Sequence, residues 1–188
     1  MANLRSYFPE YPLNATNAAW PDDIYTALKE HHVEIIANVP DAAHAQLLKA
    51  SEADPDMRVV TLTTEEEGIG LLSGAWAGGR RGVLLMQSSG VGNCINALTL
   101  PQLCRIPFIT IVSMRGEWGE FIPWQVPMGQ ATPKVLDAIG VHLFRVDDAS
   151  EVGSTTDAAI KFAFNTRRSA AILLSQRLIG AKVFKSGE

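Results

Sequence analysis

Several residue types that mark particular classes of protein are scarce in this sequence. Its 188 residues include two cysteines and four histidines, and their spacing matches no known metal-binding pattern. No apolar run reaches the roughly 18 residues that a membrane-spanning helix needs, and the first residues do not resemble a secretory signal. We therefore expect a cytoplasmic protein with no membrane partner and no metal ligands of its own.

Positive charge is also sparse and dispersed. Sixteen lysines and arginines are outnumbered by 20 acidic residues, which gives a net charge of −4, and the basic residues do not cluster. Proteins that bind nucleic acid or anionic membranes through their surface charge carry clustered basic residues. The sequence therefore predicts no nucleic-acid partner.

The common glycine-rich phosphate motifs are absent as well. There is no Walker lysine motif, and no G-x-G-x-x-G follows the first predicted strand. Three adjacent carboxylates, Glu65, Glu66 and Glu67, would repel phosphate at the start of the helix that follows the second predicted strand. A nucleotide-binding α/β protein stays open as an alternative, but these features argue against it.

What the sequence does contain is a regular alternation of apolar strands and helices. We predict strands at 33–39, 58–62, 82–87, 107–114, 142–146 and 170–175, and helices at 21–31, 41–52, 64–80, 92–105, 133–139 and 150–167. This order is typical of an α/β protein with a doubly wound, six-stranded parallel sheet and helices on both faces. At 188 residues with 47% hydrophobic side chains, we expect a single domain over 1–188 with its core at about 20–180.

The stretch at 59–78 is the most informative one. A β-branched strand leads directly into a helix that opens with Glu65, Glu66 and Glu67, and Thr63 with Glu66 has the spacing of a capping box. Acidic residues stabilise a helix start, which is a sufficient explanation for Glu66 and Glu67. Glu65 lies nearest the strand end, the edge of a parallel sheet where ligands bind, so we predict a functional role for it.

The same helix carries a stripe of glycines. Gly70, Gly74 and Gly78 recur every fourth residue and lie on one face, where each costs helix stability relative to alanine. We expect this face to be approached closely by another helix or by a second chain. Trp118 and Trp124, in a long loop, also indicate a surface that is covered in the assembled protein.

Three further loops follow predicted strands and carry polar residues. Asp41 follows the first strand, where it is either a helix N-cap or a functional carboxylate. The segment 87–93 contains serines and glycines that allow close approach to a ligand. In the loop at 115–125, Arg115 is suited to binding an anion, unless a surface ion pair with Glu117 or Glu120 engages it.

Four motifs together resemble a known family. They are Glu65-x-x-Gly68-x-Gly70-x-x-x-Gly74, Gln87-Ser-Ser-Gly-Val-Gly-Asn93, Ile106-Pro107 and Ser113-Met-Arg-Gly-Glu117. This combination resembles the pyrimidine-binding (PYR) domain of thiamine-diphosphate enzymes, and the likeness extends over residues 33–175. Within that superfamily it looks most like the α subunits of sulfopyruvate decarboxylases and the matching domain of phosphonopyruvate decarboxylases.

The resemblance implies roles for particular residues. Glu65 would hydrogen-bond N1′ of the cofactor aminopyrimidine and activate it. Asp41 would face the reacting carbons, with Pro40 in the same loop, and would take part in proton handling. Gly90 and Val91 would lie near the pyrimidine ring.

Two residues concern the substrate. By its chemistry, Arg115 would suit a sulfonate or phosphonate group, although no family motif assigns it that role. Gln125 stands where the phosphonopyruvate enzymes have a histidine, which leaves the substrate and any histidine-based proton relay open.

The sequence lacks the motif with which this family binds the cofactor diphosphate. Thiamine-diphosphate enzymes hold the diphosphate through Mg²⁺ on a Gly-Asp-Gly stretch, which does not occur here. The resemblance therefore implies an α subunit that needs a β subunit carrying the diphosphate and Mg²⁺, in an α2β2 or larger assembly. The expected activity is that of a thiamine-diphosphate-dependent 2-oxo acid decarboxylase, with sulfopyruvate as the first substrate. The alternatives are a decarboxylase subunit acting on phosphonopyruvate or another 2-oxo acid, and a non-catalytic assembly or regulatory subunit of the same fold.

Overall fold

Six parallel strands form one sheet in the computed structural model, which describes residues 20–181. The strands are β1 (Val33–Asn38), β2 (Arg58–Thr61), β3 (Arg81–Gln87), β4 (Phe108–Ser113), β5 (His142–Val146) and β6 (Ser169–Leu174). They lie in the order β2-β1-β3-β4-β6-β5. Each strand begins and ends within one residue of its predicted bounds, so the predicted sheet is confirmed. Residues 1–19 and 182–188 of the predicted domain lie outside the described residues.

Helices follow or precede every strand. They are α1 (Trp20–Glu30), α2 (Ala45–Ala53), α3 (Glu65–Ala77), α4 (Ser88–Cys94), α5 (Thr99–Leu103), α6 (Gln125–Ala138), α7 (Val152–Thr166) and α8 (Gln176–Ile179), with 3-10 turns at Ala42–His44 and Ala149–Glu151. Between residues 20 and 181, no helix is both long enough and apolar enough to cross a membrane.

The sheet separates two helical layers, and the central strand β3 packs against both. Its side chains alternate, so Val83 and Leu85 pack in the cluster that contains residues of α1, α2 and α7. Leu84 and Met86 pack in the other cluster, with residues of α3, α4 and α6. All four side chains are fully buried. The strand is therefore apolar on both faces, as expected for a parallel sheet with helices on both sides.

Two helices differ most from the prediction, and α2 also begins later than the predicted residue 41, at Ala45, after a 3-10 turn. The segment predicted as one helix at 92–105 forms two helices, α4 and α5. Helix α4 already begins at Ser88 and includes glycines that the sequence pattern places in a loop. Helix α6 begins at Gln125, eight residues before its predicted start at 133, and contains Pro133 in its interior. Local propensity disfavours both arrangements, and tertiary packing overrides it. The two helices pack closely, and at Gly92 an added Cβ would lie 3.4 Å from the Met128 sulfur.

The start of α3 also differs in detail. Thr64, rather than Thr63, is the N-cap residue, and its side chain makes no capping hydrogen bond. Glu67 accepts a hydrogen bond from the backbone N–H of Thr63 at 2.9 Å, and Glu66 accepts one from the Thr64 hydroxyl. The predicted pairing of Thr63 with Glu66 is therefore wrong by one residue. The Glu66 and Glu67 carboxylates both bond to groups at the helix start, and their stabilising role stays a prediction.

The packing of α6 gives a test of stability. We expect Gly129→Ala to destabilise the chain by about 1–3 kcal/mol, because an added Cβ would lie 1.8 Å from the backbone oxygen of Arg115. Gly70→Ala is the matched control, since Gly70 is also helical but has no atom within 4 Å of its added Cβ. That change is expected to stabilise the chain by about 0.5–1 kcal/mol. Urea unfolding of the purified chain measures both, and equal effects of the two variants would contradict the packing described.

Candidate active site

The carboxyl ends of three neighbouring strands bring polar side chains together. Gln87 at the end of β3 is in register with Ser113 at the end of β4. Strand β1 lies on the other side of β3, and the chain that leaves it carries Asp41. Because the chain continues from β1 to β2 on one side and β3 lies on the other, this is a topological switch point of the sheet. Ligands of open α/β sheets bind at such a crevice.

Asp41 is held by two side chains in this crevice. One carboxylate oxygen accepts a hydrogen bond from Ser113 Oγ at 2.5 Å, and the other accepts one from Gln87 Nε2 at 3.2 Å. Asp41 occupies the N-cap position of the 3-10 turn, but its side chain makes no capping hydrogen bond. Of the two alternatives left open for Asp41, a helix N-cap or a functional carboxylate, its side chain does not act as a helix cap. Its carboxylate is turned toward the strand ends instead.

Gln125 joins the same network from the first residue of α6. Its Nε2 donates to Gln87 Oε1 at 2.8 Å, and Ser89 Oγ donates to the same oxygen at 2.8 Å. Gln125 is only 3% exposed, and its Oε1 has no hydrogen-bond partner. Unsatisfied buried oxygens are uncommon, and functional sites are one of the places where they occur.

Glu65 lies at the first residue of α3 and is 8% exposed. Its Oε2 accepts a hydrogen bond from Asn93 Nδ2 at 3.0 Å. An added Cβ at Gly90 would lie 2.1 Å from Glu65 Oε1, so only glycine leaves room for this carboxylate. The structure therefore brings Glu65 and Gly90 together. Val91 is fully buried in the core beside them.

Pro40 is exposed in the loop that leads to Asp41. Its place near the cofactor stays a prediction. The roles predicted for the other site residues also stay predictions, since the geometry fixes their positions and not their ligands.

Arg115 is engaged by an ion pair that the sequence had left as an alternative. Its Nε and Nη2 donate to the two carboxylate oxygens of Glu120 at 2.7 and 2.5 Å. The side chains are only 5% and 3% exposed, so the pair is buried rather than at the surface as that alternative had it. The backbone N–H of Arg115 donates to Ser88 Oγ. Removing one partner of such a pair leaves an uncompensated buried charge.

Glu120 organises the β4–α6 loop (residues 114–124). Burial raises the pKa of its carboxyl, but hydrogen bonds from Arg115 and from the backbone N–H groups of Ile122 and Gly116 outweigh burial and lower the pKa to about 2. Gln176 Nε2 donates to Glu120 at 3.0 Å. Gln176 Oε1 accepts from the backbone N–H of Glu117, so this side chain ties the loop to the end of β6.

One face near the site is open. Gly70 and Gly74 are exposed, and an added Cβ at either position would meet no atom within 4 Å. Within residues 20–181 no element crosses this glycine stripe, so the predicted close approach does not come from the described part of this chain. Trp118 and Trp124 are 52% and 67% exposed, as predicted, and Leu71 on α3 is 38% exposed.

Comparison with known proteins identifies the family. Residues 21–120 match the family described as "Thiamine pyrophosphate enzyme, N-terminal TPP binding domain". The chain belongs to this family. Glu65, Asp41 and Gln87 all lie within the part that matches the thiamine pyrophosphate-binding domain, whereas Gln125 lies just beyond it.

Curated relatives narrow the relationship. The chain is 37% identical over 163 residues to the sulfopyruvate decarboxylase subunit alpha of Methanococcus maripaludis, covering 86% of this chain and 95% of that protein. It is 35% identical to the protein of the same name from Methanocaldococcus jannaschii, covering 80% and 89%. The phosphonopyruvate decarboxylase of Streptomyces viridochromogenes is 33% identical, covering 74% of this chain and 36% of that protein.

A solved structure shares the fold. It is 2-oxoglutarate:ferredoxin oxidoreductase from Magnetococcus marinus, with a TM-score of 0.67 and 13% sequence identity. The match covers 85% of this chain and 29% of that one. At this identity the likeness establishes the fold and nothing further.

Several residues of the site had no predicted role. Gln87, Asn93 and Ser113 lie in the family motifs, but only their contacts reveal which carboxylate each one holds. Gln176 gave a weaker signal, as a polar residue just after a strand end. Its bonds to the β4–α6 loop span more than 50 residues of sequence, and no local pattern predicts such contacts.

Acid sensitivity tests the buried pair. Because the folded-state pKa of Glu120 is about 2 and its ordinary value is 4.5, ionised Glu120 stabilises the folded chain above about pH 4.5. This contribution is lost as the pH falls from 4.5 toward 2. We expect Glu120→Gln to lower the free energy of unfolding at pH 7 by roughly 3–5 kcal/mol, since Arg115 is left unpaired. The variant should also lose this part of the acid dependence.

Glu52→Gln, on the exposed side of α2, is the control for that experiment. Urea unfolding between pH 2.5 and 7 measures all three proteins. An acid dependence in Glu120→Gln as steep as that of the unsubstituted chain would rule out the stabilising role of Glu120.

Proposed function

We propose that this chain is the α subunit of a two-subunit, thiamine-diphosphate-dependent 2-oxo acid decarboxylase that converts 3-sulfopyruvate to sulfoacetaldehyde and carbon dioxide. The observation that carries the proposal is the nearly buried Glu65 carboxylate against Gly90 at the carboxyl edge of the sheet. The choice of substrate is supported by the relatives named sulfopyruvate decarboxylase subunit alpha, which this chain matches over most of their length. Phosphonopyruvate is the second substrate to test.

The surroundings of Glu65 fit the aminopyrimidine of thiamine diphosphate. The carboxylate is nearly removed from water, and Asn93 holds one oxygen while the other packs directly against Gly90. A carboxyl group in such a place can share a proton with a ring nitrogen, since little water competes for it. When bound, thiamine diphosphate supplies the electron sink that decarboxylation of a 2-oxo acid requires. Gly90 and Val91 would form the wall beside the pyrimidine, with Pro40 at the rim.

Asp41 is the second carboxylate of the proposed site. Ser113 and Gln87 fix its orientation from two neighbouring strand ends, so it is positioned without a helix-capping role. A carboxylate held in this way can deliver or accept a proton at the substrate's reacting carbons. We assign Asp41 to proton handling.

The substrate's sulfonate or phosphonate group is assigned to Arg115, and Gln125 is assigned to another part of the bound 2-oxo acid. The ion pair with Glu120 engages Nε and Nη2 of Arg115, and Nη1 is the atom proposed for a sulfonate or phosphonate oxygen. Gln125 is joined to Asp41 through Gln87 and would contact the bound 2-oxo acid.

A β subunit is proposed to complete the site. The sequence contains no Gly-Asp-Gly stretch for Mg²⁺ and diphosphate, so these would be held by the partner. The exposed glycine stripe and the exposed Trp118 and Trp124 would form the contact surface, in an α2β2 or larger assembly. Exposed apolar patches of this kind are typical of interaction sites.

Substitution of Glu65 tests the catalytic assignment. Glu65→Gln keeps the size of the side chain but removes its acid, so we expect carbon dioxide release by the complex to fall at least about 100-fold. Glu66→Gln is the matched control, because Glu66 is the next residue on the same helix turn and is exposed. The assay uses the chain co-expressed with its partner, with 3-sulfopyruvate, phosphonopyruvate or pyruvate, with and without thiamine diphosphate and Mg²⁺. Full activity of Glu65→Gln would refute the assignment, and would favour a non-catalytic assembly role.

Substitution in the glycine stripe tests the partner surface. Gly74→Leu places a large side chain on the open face of α3, where an added Cβ meets no atom of the described chain within 4 Å. We expect the purified chain to stay folded but to bind the β subunit about tenfold more weakly or worse. Ser154→Leu, on the exposed side of α7, is the control and should leave binding unchanged. Binding of Gly74→Leu at unaltered affinity, measured by calorimetry, would place the interface elsewhere.

A further inference from the structure

Gln87 is the central residue of the polar network at the strand ends. Its amide joins two residues with proposed roles, because Nε2 donates to Asp41 and Oε1 accepts from Gln125. Ser89 Oγ makes a second hydrogen bond to Oε1. Gln87 lies at the last position of β3, so its backbone is fixed by the sheet.

The direction of these hydrogen bonds follows from the carboxylate. An ionised Asp41 can only accept, so the Gln87 side chain must present its NH₂ group to it. Gln87 Oε1 then faces the other way and accepts from the NH₂ group of Gln125. Consequently Gln125 Oε1 is the end of the chain of bonds, and it is the buried oxygen that has no partner.

We propose that Gln87 is a positioning residue that fixes Asp41 and Gln125 relative to each other and sets which end of the Gln125 amide is free. The inference rests on the proposed function, since it assigns the two residues that Gln87 joins to that reaction. Ser113 supports it from β4 by holding the second carboxylate oxygen of Asp41. The free end of the network is an acceptor, so it favours a hydrogen-bond donor on the bound reactant. A sulfonate oxygen is itself an acceptor and is not favoured there, which leaves Arg115 as the group for the sulfonate.

Gln87→Met tests the proposal in the assembled enzyme. Methionine has a similar length but cannot bond to either neighbour, so Asp41 and Gln125 would lose their fixed orientation. We expect kcat to fall about 10- to 100-fold with KM changed less than about threefold, since positioning affects the reacting geometry more than substrate binding. Gln46→Met is the matched control, because Gln46 makes the same kind of amide-to-carboxylate bond, to Asp22, on the surface. It should leave both constants unchanged.

A second measurement detects the hydrogen bond between Gln87 and Gln125 without depending on catalysis. In the full-length chain, the side-chain amide signals of Gln125 in a ¹⁵N–¹H NMR spectrum report the bond to Gln87. We expect Gln87→Met to move these signals and Gln46→Met to leave them in place. The double variant Asp41→Asn with Gln87→Glu exchanges donor and acceptor, since the introduced asparagine amide can donate to the introduced carboxylate, which still accepts from Gln125. It should restore the Gln125 signals toward their original positions.

The outcomes distinguish failure of the positioning role of Gln87 from failure of the proposed decarboxylase function. Unmoved Gln125 signals in Gln87→Met, or a kcat within twofold of the unsubstituted enzyme, would overturn the positioning role. If Gln87→Met lowers kcat only at temperatures where the variant is partly unfolded, the positioning role is also overturned, because a merely structural residue behaves in that way. If the unsubstituted complex releases no carbon dioxide from any 2-oxo acid, the proposed function fails, and the NMR result still decides whether Gln87 orders the network.

Discussion

The hydrogen bonds that Asp41 accepts at the switch point of the sheet are the contacts on which the rest of the site depends. They join the ends of β3 and β4 to the loop after β1, so three strands position a single carboxylate. A loop residue held only by its own backbone would be less precisely placed than one fixed by neighbouring strand ends. The parallel sheet therefore supplies the rigidity, and the loops supply the chemistry.

The buried pair of Arg115 and Glu120 extends this order into the β4–α6 loop. Glu120 accepts hydrogen bonds from Arg115 and from two backbone N–H groups, and Gln176 joins it from beyond β6. Helix α6, with Gln125 as its first residue, begins where this loop ends. The loop is long, but its described contacts make it part of the scaffold around the site.

The site also has an open side. Glu65 is held on α3, and the same helix presents Gly70 and Gly74 outward with nothing packed on them among the described residues. Glycine in a helix is costly, so the stripe indicates that a second surface approaches this face. This open face beside Glu65 fits the proposal that a partner subunit completes the site.

Local sequence patterns were enough to predict the six strands, the class of parallel fold, and the position of Glu65 at a strand end. These follow from short-range signals, because apolar runs and helix-start residues lie within a few positions of one another. The same patterns left open whether Asp41 capped a helix and whether Arg115 was paired, and they misplaced the starts of α4 and α6. The orientation of Asp41 depends on a long-range contact in the folded chain, since its partner Ser113 is 72 residues away in the sequence. The partner of Arg115, Glu120, is only five residues away, but the loop that contains both is held by Gln176, which lies 56 residues from Glu120.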